Sequence, residues 1–397
     1  MPEFYEPSRS DLLNLVRLYF KTQPKGLGIA AGCASPSFPE GRMFFFGNVQ
    51  NQFGQDLALD PHTPFEIASV SKTFTSTLYV DALRSLSGDD TLAIYTAPSG
   101  LLPISPKLGK ITLDSLMSYS SGLPADNLPG PTDLPPFLPQ PYSQMAMLNY
   151  LNAAPPALVG LNEQYLYSNL GFALMGAILS GDSLELRSFT DLVAETLFQP
   201  LGMKSCFFDW ASLERLPQGF NYDYSVKPNF SAVTPGWPLF PAYFGAGGIV
   251  ASAADMLQWL LFNMGLISND LSPTLAATQS AATTVKWGDQ SLGLGWFLSP
   301  AAGNFPATVW KDGDLDGFRS YIAFTASNQP GVTAANAGAF VMINALGVTV
   351  DQTNSGPDLA VALTNDIINL ILGQSIPEDK SSYPGTLRGR SRLVTPR

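Results

Sequence analysis

Strand-like segments sit at the two ends of this 397-residue chain and are scarce in the middle, which limits the folds open to it. Near the N-terminus, GLGIAAGCAS (26–35) and RMFFFGNVQ (42–50) read as two strands joined by the Pro-containing turn SPSFPEG. Strand patterns then return at LGLGWFLS (292–299), ATVWKDG (307–313), GFRSYIAFTAS (317–327) and GAFVMINAL (338–346). Between them the patterns are helical, around 69–83, 113–119, 144–153, 168–179 and 192–198, and again after the glycine turn at 245–248, where Ser252 is a cap. An amphipathic helix opens the chain, with Leu12, Leu15, Val16, Tyr19 and Phe20 on one face, and another closes it over 357–372. Short turns between the late segments make their pairing antiparallel. The expected class is α+β: an antiparallel sheet flanked by helices, with an inserted, mostly helical lobe. The sheet lobe is expected from 1–68 and 285–375, the helical lobe from 69–284, and a polar, basic tail, extended or clasped to the surface, from 376–397. Prolines crowd 122–142 and forbid regular hydrogen bonding there, so that segment reads as an extended loop or lid.

Composition narrows the partners. With 45% hydrophobic and 13% charged residues the chain is core-rich rather than disordered. A formal net charge of −11 argues against nucleic acid and anionic membrane surfaces, and leaves a small molecule as the expected partner. The apolar run LGFALMGAILSG from Leu170 is too short to span a bilayer, which takes about 18 residues or more. The opening residues lack the basic start, apolar run and cleavage site of a signal peptide, so a cytoplasmic location is expected. Cys33 and Cys206 make neither a disulfide framework nor a zinc site, and read as small buried hydrophobes.

The chemistry is carried by EIASVSKTFTS (66–76). A serine hydroxyl needs a neighbour to take its proton. The one histidine, His62, lies in the turn DPHTPFE, and no GxSxG elbow occurs. Lysine is the alternative base. Ser69 and Lys72 stand three apart at a helix start and so share a face, with Cβ atoms roughly 5–6 Å apart. The helix N-terminus there favours developing negative charge. A free lysine has a pKa of about 10.4, which puts its neutral form about 4.6 kcal/mol uphill at pH 7. Burial and a nearby cation lower that cost, and a tyrosine made acidic by a close ammonium can share the proton.

Two further segments complete a pattern. Tyr167-Ser168-Asn169 opens a second helix within EQYLYSNLGFALMGAIL, and Lys311-Asp312-Gly313 lies on a strand within TVWKDGDLDGFRSYIAF. In this order the three motifs resemble those of the serine β-lactamase and penicillin-recognising superfamily. The nearest resemblance is to the branch of class C β-lactamases, β-lactamase-fold esterases, D-aminopeptidases and DD-carboxypeptidases. ITLDSLMSYSSGLP, FQPLGMKSCFF and GAGGIVASAADMLQWL resemble the connecting text, though Tyr119 stands where a histidine is common. The resemblance implies a β-lactamase/transpeptidase-like fold and a site without metal or cofactor. It implies Ser69 as acylated nucleophile, Lys72 as its proton partner and Tyr167 as second acid/base. Asn169 would bond Lys72 or the substrate amide, and Lys311 would support Tyr167 or a substrate carboxylate. Gly313 would let the strand approach the substrate. The backbone N–H groups of Ser69 and Asp314 would form the oxyanion hole.

The activity implied is cleavage of a small-molecule ester or amide, of esterase, amidase or D-peptidase type. An acyltransferase or cyclase is the alternative, and a binding protein without turnover would require a damaged motif, whereas all three are intact. Asp312 departs from the usual Thr or Ser; strand alternation puts it on the face opposite Lys311 and Gly313. DGDLDG (312–317) imitates half of a calcium loop but lacks the terminal glutamate, and GLGIAA imitates a dinucleotide fingerprint without its strand and helix. Arg319 could bind a carboxylate, but the favoured reading is a solvated or sheet-edge arginine.

Overall fold

Strands from the two ends of the chain form one antiparallel sheet in the computed structural model. It describes residues 4–20, 26–85, 87–95, 102, 104–126, 142–182, 187–208, 214–233, 240–327, 330, 334–381 and 383–385. The strands are β1 (Ile29–Ser35), β2 (Phe38–Phe46), β3 (Lys286–Trp287), β4 (Gln290–Leu292), β5 (Phe297–Ser299), β6 (Thr308–Leu315), β7 (Phe318–Thr325) and β8 (Gly338–Ile343). Their order is β2-β1-β8-β7-β6-β5-β4-β3. The N-terminal hairpin docks on the last strand, with Ile29 opposite Ile343. In the centre Lys311 pairs with Ile322 and Gly313 with Ser320. The segment 292–299 is not one strand. Gly295, at φ +77, turns the chain so that Leu292 faces Phe297 across a hairpin.

Helices cover both faces. Along β7, Ser320 Oγ donates to Ile67 O at 2.7 Å while its neighbour Tyr321 donates from its hydroxyl to Pro384 O at 2.6 Å, so successive residues address opposite layers. The Ser320 layer holds α2 (Ser71–Ala82), α3 (Asn169–Asp182) and α4 (Ala253–Asn263). The Tyr321 layer holds α1 (Arg9–Tyr19) and α5 (Leu359–Ile371). Capping boxes start α1, from Ser8 and Asp11, and α4, from Ser252 and Asp255.

Buried residues run continuously from Ser71 to Tyr79, so α2 has no solvent face over that stretch. Its hydroxyls return to backbone carbonyls: Thr73 to Val70, Thr75 to Gly245 and Thr77 to Thr73. Trp259 stacks on Phe74 with ring centroids 3.7 Å apart, locking α4 against α2. The early tail is a clasp: Lys380 and Tyr383 are buried against Asp366 of α5. The rest of the tail, 386–397, and residues 127–141 of the Pro-rich loop lie outside the described residues.

Candidate active site

The turn that presents Ser69 is tight. Ala68 sits at φ +49, a left-handed conformation that a side-chain-bearing residue rarely adopts, and Ala68–Val70 form one 3₁₀ turn leading into α2. Three bonds fix it: Ile67 N–H to Ile249 O at 3.1 Å, Ser320 Oγ to Ile67 O, and Ile249 N–H to Ser71 Oγ at 3.1 Å. A Cβ on Gly313 would stand 2.2 Å from Ile67 O and 3.2 Å from the Ala68 methyl. The bare Cα of Gly313 thus admits the serine's own turn.

Two of the expected residues touch the Ser69 hydroxyl, and a third, Asn169, holds one of them. Lys72 Nζ lies 2.9 Å from Ser69 Oγ, and the Tyr167 hydroxyl donates to the same oxygen at 2.6 Å. Lys72 also donates to Asn169 Oδ1 at 2.7 Å and to Ala246 O at 2.5 Å. Its side chain is fully buried, at 0% exposure. Desolvation, and then the nearby charge of Lys311, hold its pKa well below the usual lysine range, against the opposing pull of Asp126 and Asp312. An amine in that condition gives up its proton more readily than a free lysine, and the neutral amine can act as a base. No carboxylate is hydrogen-bonded to it among the described residues.

Tyr167 is held from behind. Its ring stacks on Tyr119 with centroids 5.2 Å apart and planes 11° apart, and Tyr119 stacks in turn on Phe297 at 5.2 Å. Tyr119 is buried, adopts φ +58 and donates its hydroxyl to Gly295 O at 3.0 Å. Burial pushes its own pKa well up, so it stays a protonated support. The chain carrying Tyr167 is tied alongside by Leu166 N–H to Tyr119 O at 2.9 Å.

Lys311 Nζ lies 5.5 Å from the centre of the Tyr167 ring and 5.5 Å from that of Phe297. Strand alternation does not keep it from Asp312. The flexible lysine bends back and donates to Asp312 Oδ1 at 2.8 Å and to its carbonyl at 2.6 Å. The other Asp312 oxygen accepts from Arg319 at 3.3 Å. Arg319 is therefore neither solvated nor at an edge. It is 4% exposed and paired with Asp314 and, at 3.0 Å, with Asp358. The Asp314 side chain is 37% exposed, next to Gly313 on the strand that abuts the serine turn.

Asp126 was not foreseen. It accepts from Asn169 Nδ2 at 3.1 Å, and burial raises its pKa against the lowering influence of Asn169 and Lys72. Its only sequence signal was its place just after the SGLP segment. Elsewhere, His62 is exposed in its turn, and Asp312–Gly317 form the end of the β6–β7 hairpin rather than a calcium loop. Among the described residues no group of three or more His, Cys, Asp or Glu could hold a metal ion, and no helix is long and apolar enough to cross a membrane.

The chain is similar to known proteins over most of its length. The family model described as Beta-lactamase matches residues 41–363. A beta-lactamase of Psychrobacter immobilis is 27% identical over 337 residues, covering 76% of this chain and 77% of the relative. The D-alanyl-D-alanine-carboxypeptidase/endopeptidase AmpH of Escherichia coli (strain K12) is 28% identical over 294 residues, covering 70% of each. The solved structure of a class C beta-lactamase mutant superposes with a TM-score of 0.66 at 22% identity, over 91% of this chain and 95% of that one, a likeness of fold.

Proposed function

The chain belongs to the Beta-lactamase family, a family of serine hydrolases, and we propose that it cleaves an ester or amide of a small molecule through an acyl-enzyme on Ser69. The observation that carries this reading is the double contact on Ser69 Oγ, from a buried lysine amine at 2.9 Å and a phenol at 2.6 Å. In the reading, neutral Lys72 takes the Ser69 proton as Oγ attacks the carbonyl carbon. The N–H groups of Ser69 and Asp314 hold the oxyanion, a kind of contact whose loss typically costs roughly 2.7–4 kcal/mol. Tyr167 protonates the leaving oxygen or nitrogen as its bond to carbon breaks, and recovers a proton from Lys72. The same pair then takes a proton from water as it attacks the acyl carbon, and Ser69 leaves with that proton. Asn169 orients Lys72 through its Oδ1. Lys311, beside the Tyr167 ring, favours the phenolate.

A fluorophosphonate probe and a p-nitrophenyl ester test this together. The expected result is covalent labelling of Ser69 and an acyl adduct visible by intact mass, both lost in Ser69→Ala. Labelling or turnover that survives in Ser69→Ala overturns the assignment.

A further inference from the structure

The polar groups around Ser69 are unequally occupied. Lys311, the cation nearest Tyr167 on the strand side, already donates to Asp312, and Asp312 is shared with Arg319. A substrate carboxylate arriving there would have to displace an internal ion pair. Asp126 is in the opposite condition. One oxygen accepts from Asn169 Nδ2 at 3.1 Å; the other has no partner among the described residues, and the residue as a whole is only partly buried. Asn169 is the residue that touches Lys72, so the open oxygen stands two side chains from the Ser69 hydroxyl. A carboxylate can only accept hydrogen bonds, and a half-buried one gains most from a charged donor.

We infer that the substrate places a protonated amine, close to its scissile carbonyl, against the open oxygen of Asp126, and carries no carboxylate for Lys311. The inference rests on the reading of Ser69 as nucleophile. The preferred substrates are then esters or amides of amino-bearing acids. A charged hydrogen bond of this kind is worth about tenfold in affinity or more.

Boronic acids that add reversibly to a serine hydroxyl test it without any need for turnover. Ethylboronic acid, both enantiomers of 1-aminoethylboronic acid and 2-carboxyethylboronic acid are compared as protectants of Ser69 against the fluorophosphonate. One amino enantiomer is expected to protect at a concentration about tenfold or more below that of the ethyl compound, with the carboxyethyl compound weakest. Asp126→Asn keeps an acceptor for Asn169 but removes the charge, and it should abolish that advantage; Asp126→Glu, a second variant should the first fail to fold, should retain part of it. Equal protection by the amino and ethyl compounds, tightest protection by the carboxylate, or an amino advantage undiminished in Asp126→Asn overturns the inference. Failure of the probe to label wild-type Ser69 overturns the function reading beneath it instead.

Discussion

Two buried clusters in this molecule are built from the same functional groups, a lysine amine and tyrosine phenols, and they behave differently. Around Ser69, Lys72 and Tyr167 meet on a hydroxyl. Around Asp366, Lys380 donates at 2.8 Å, and Tyr383 and Tyr19 donate as well, all to one carboxylate. Even the ring contacts correspond: Lys72 Nζ lies 5.0 Å from the Tyr167 ring centre and Lys380 Nζ 5.3 Å from that of Tyr383. The difference is the central group. Burial, and then the charge of the Asp366 carboxylate, push the pKa values of both its tyrosines up, so the phenols keep their protons. A hydroxyl gives no such anchor, and the buried amine, facing Lys311, is driven toward neutrality. The first arrangement is glue between the N-terminal helix, α5 and the tail. The second can move a proton.

Substitutions can break this contrast. Lys72→Met should lower kcat/KM on an activated ester by about 10³-fold or more, within the range of lost general-base catalysis. Lys380→Met should leave kcat/KM unchanged below its unfolding temperature. Equal losses in the two variants would erase the distinction.

Next in size is Asp366→Asn, which strips the charge that Lys380 and two tyrosines share. Breaking a buried pair by removing one partner costs about 3–5 kcal/mol, readable as a lowered urea midpoint at unchanged ester turnover. An unmoved midpoint would mean that the clasp contributes no stability.

Glu66 sharpens the comparison as a buried carboxyl that accepts no hydrogen bond at Oε2 among the described residues. Its Oε2 lacks a partner, and burial, aided by Asp316, pushes its pKa up to about 8. A folded-state pKa above the unfolded value means that the folded chain holds the proton more tightly. The stability from that proton is fully present below about pH 4.5 and is lost as pH rises toward about 8, by up to about 1.4 kcal/mol per pH unit. The urea stability of Glu66→Gln relative to wild type should therefore climb over that window and level off above it. A constant difference would show an ionised Glu66 throughout.

The smallest effect is on the pH profile. Lys72 must be neutral to take the serine proton. Lys311→Ala removes a cation that lowers the Lys72 pKa, so the acid limb of kcat/KM should move to higher pH. Asp126→Asn removes an anion that raises it and should move the limb the other way. Shifts of the same sign would contradict the charge balance.

Much of the site was legible because its signals are local. Ser69 and Lys72 share a face by helical spacing alone, and Tyr167 and Asn169 were marked by a second helix start. The aromatic brace was only half visible: Tyr119 stood out as the residue in place of a histidine, but its stack on Tyr167 depends on Gly295 and Phe297 arriving from the distant β4–β5 hairpin. Arg319 was misread because a lone arginine on a strand has no sequence mark that says which acids surround it.

The sequence by itself determined the groups that can react, their order along the chain, and an antiparallel sheet with a helical insertion, because periodicity and turn chemistry act over a few residues. Tertiary structure alone decided their protonation. Asn169 lies 97 residues from Lys72, and Ala246 lies 174 away. Desolvation and Coulomb interactions depend on distance in space, so the pKa of Lys72, the pairing of Lys311 with Asp312 and the open oxygen of Asp126 exist only once those segments pack.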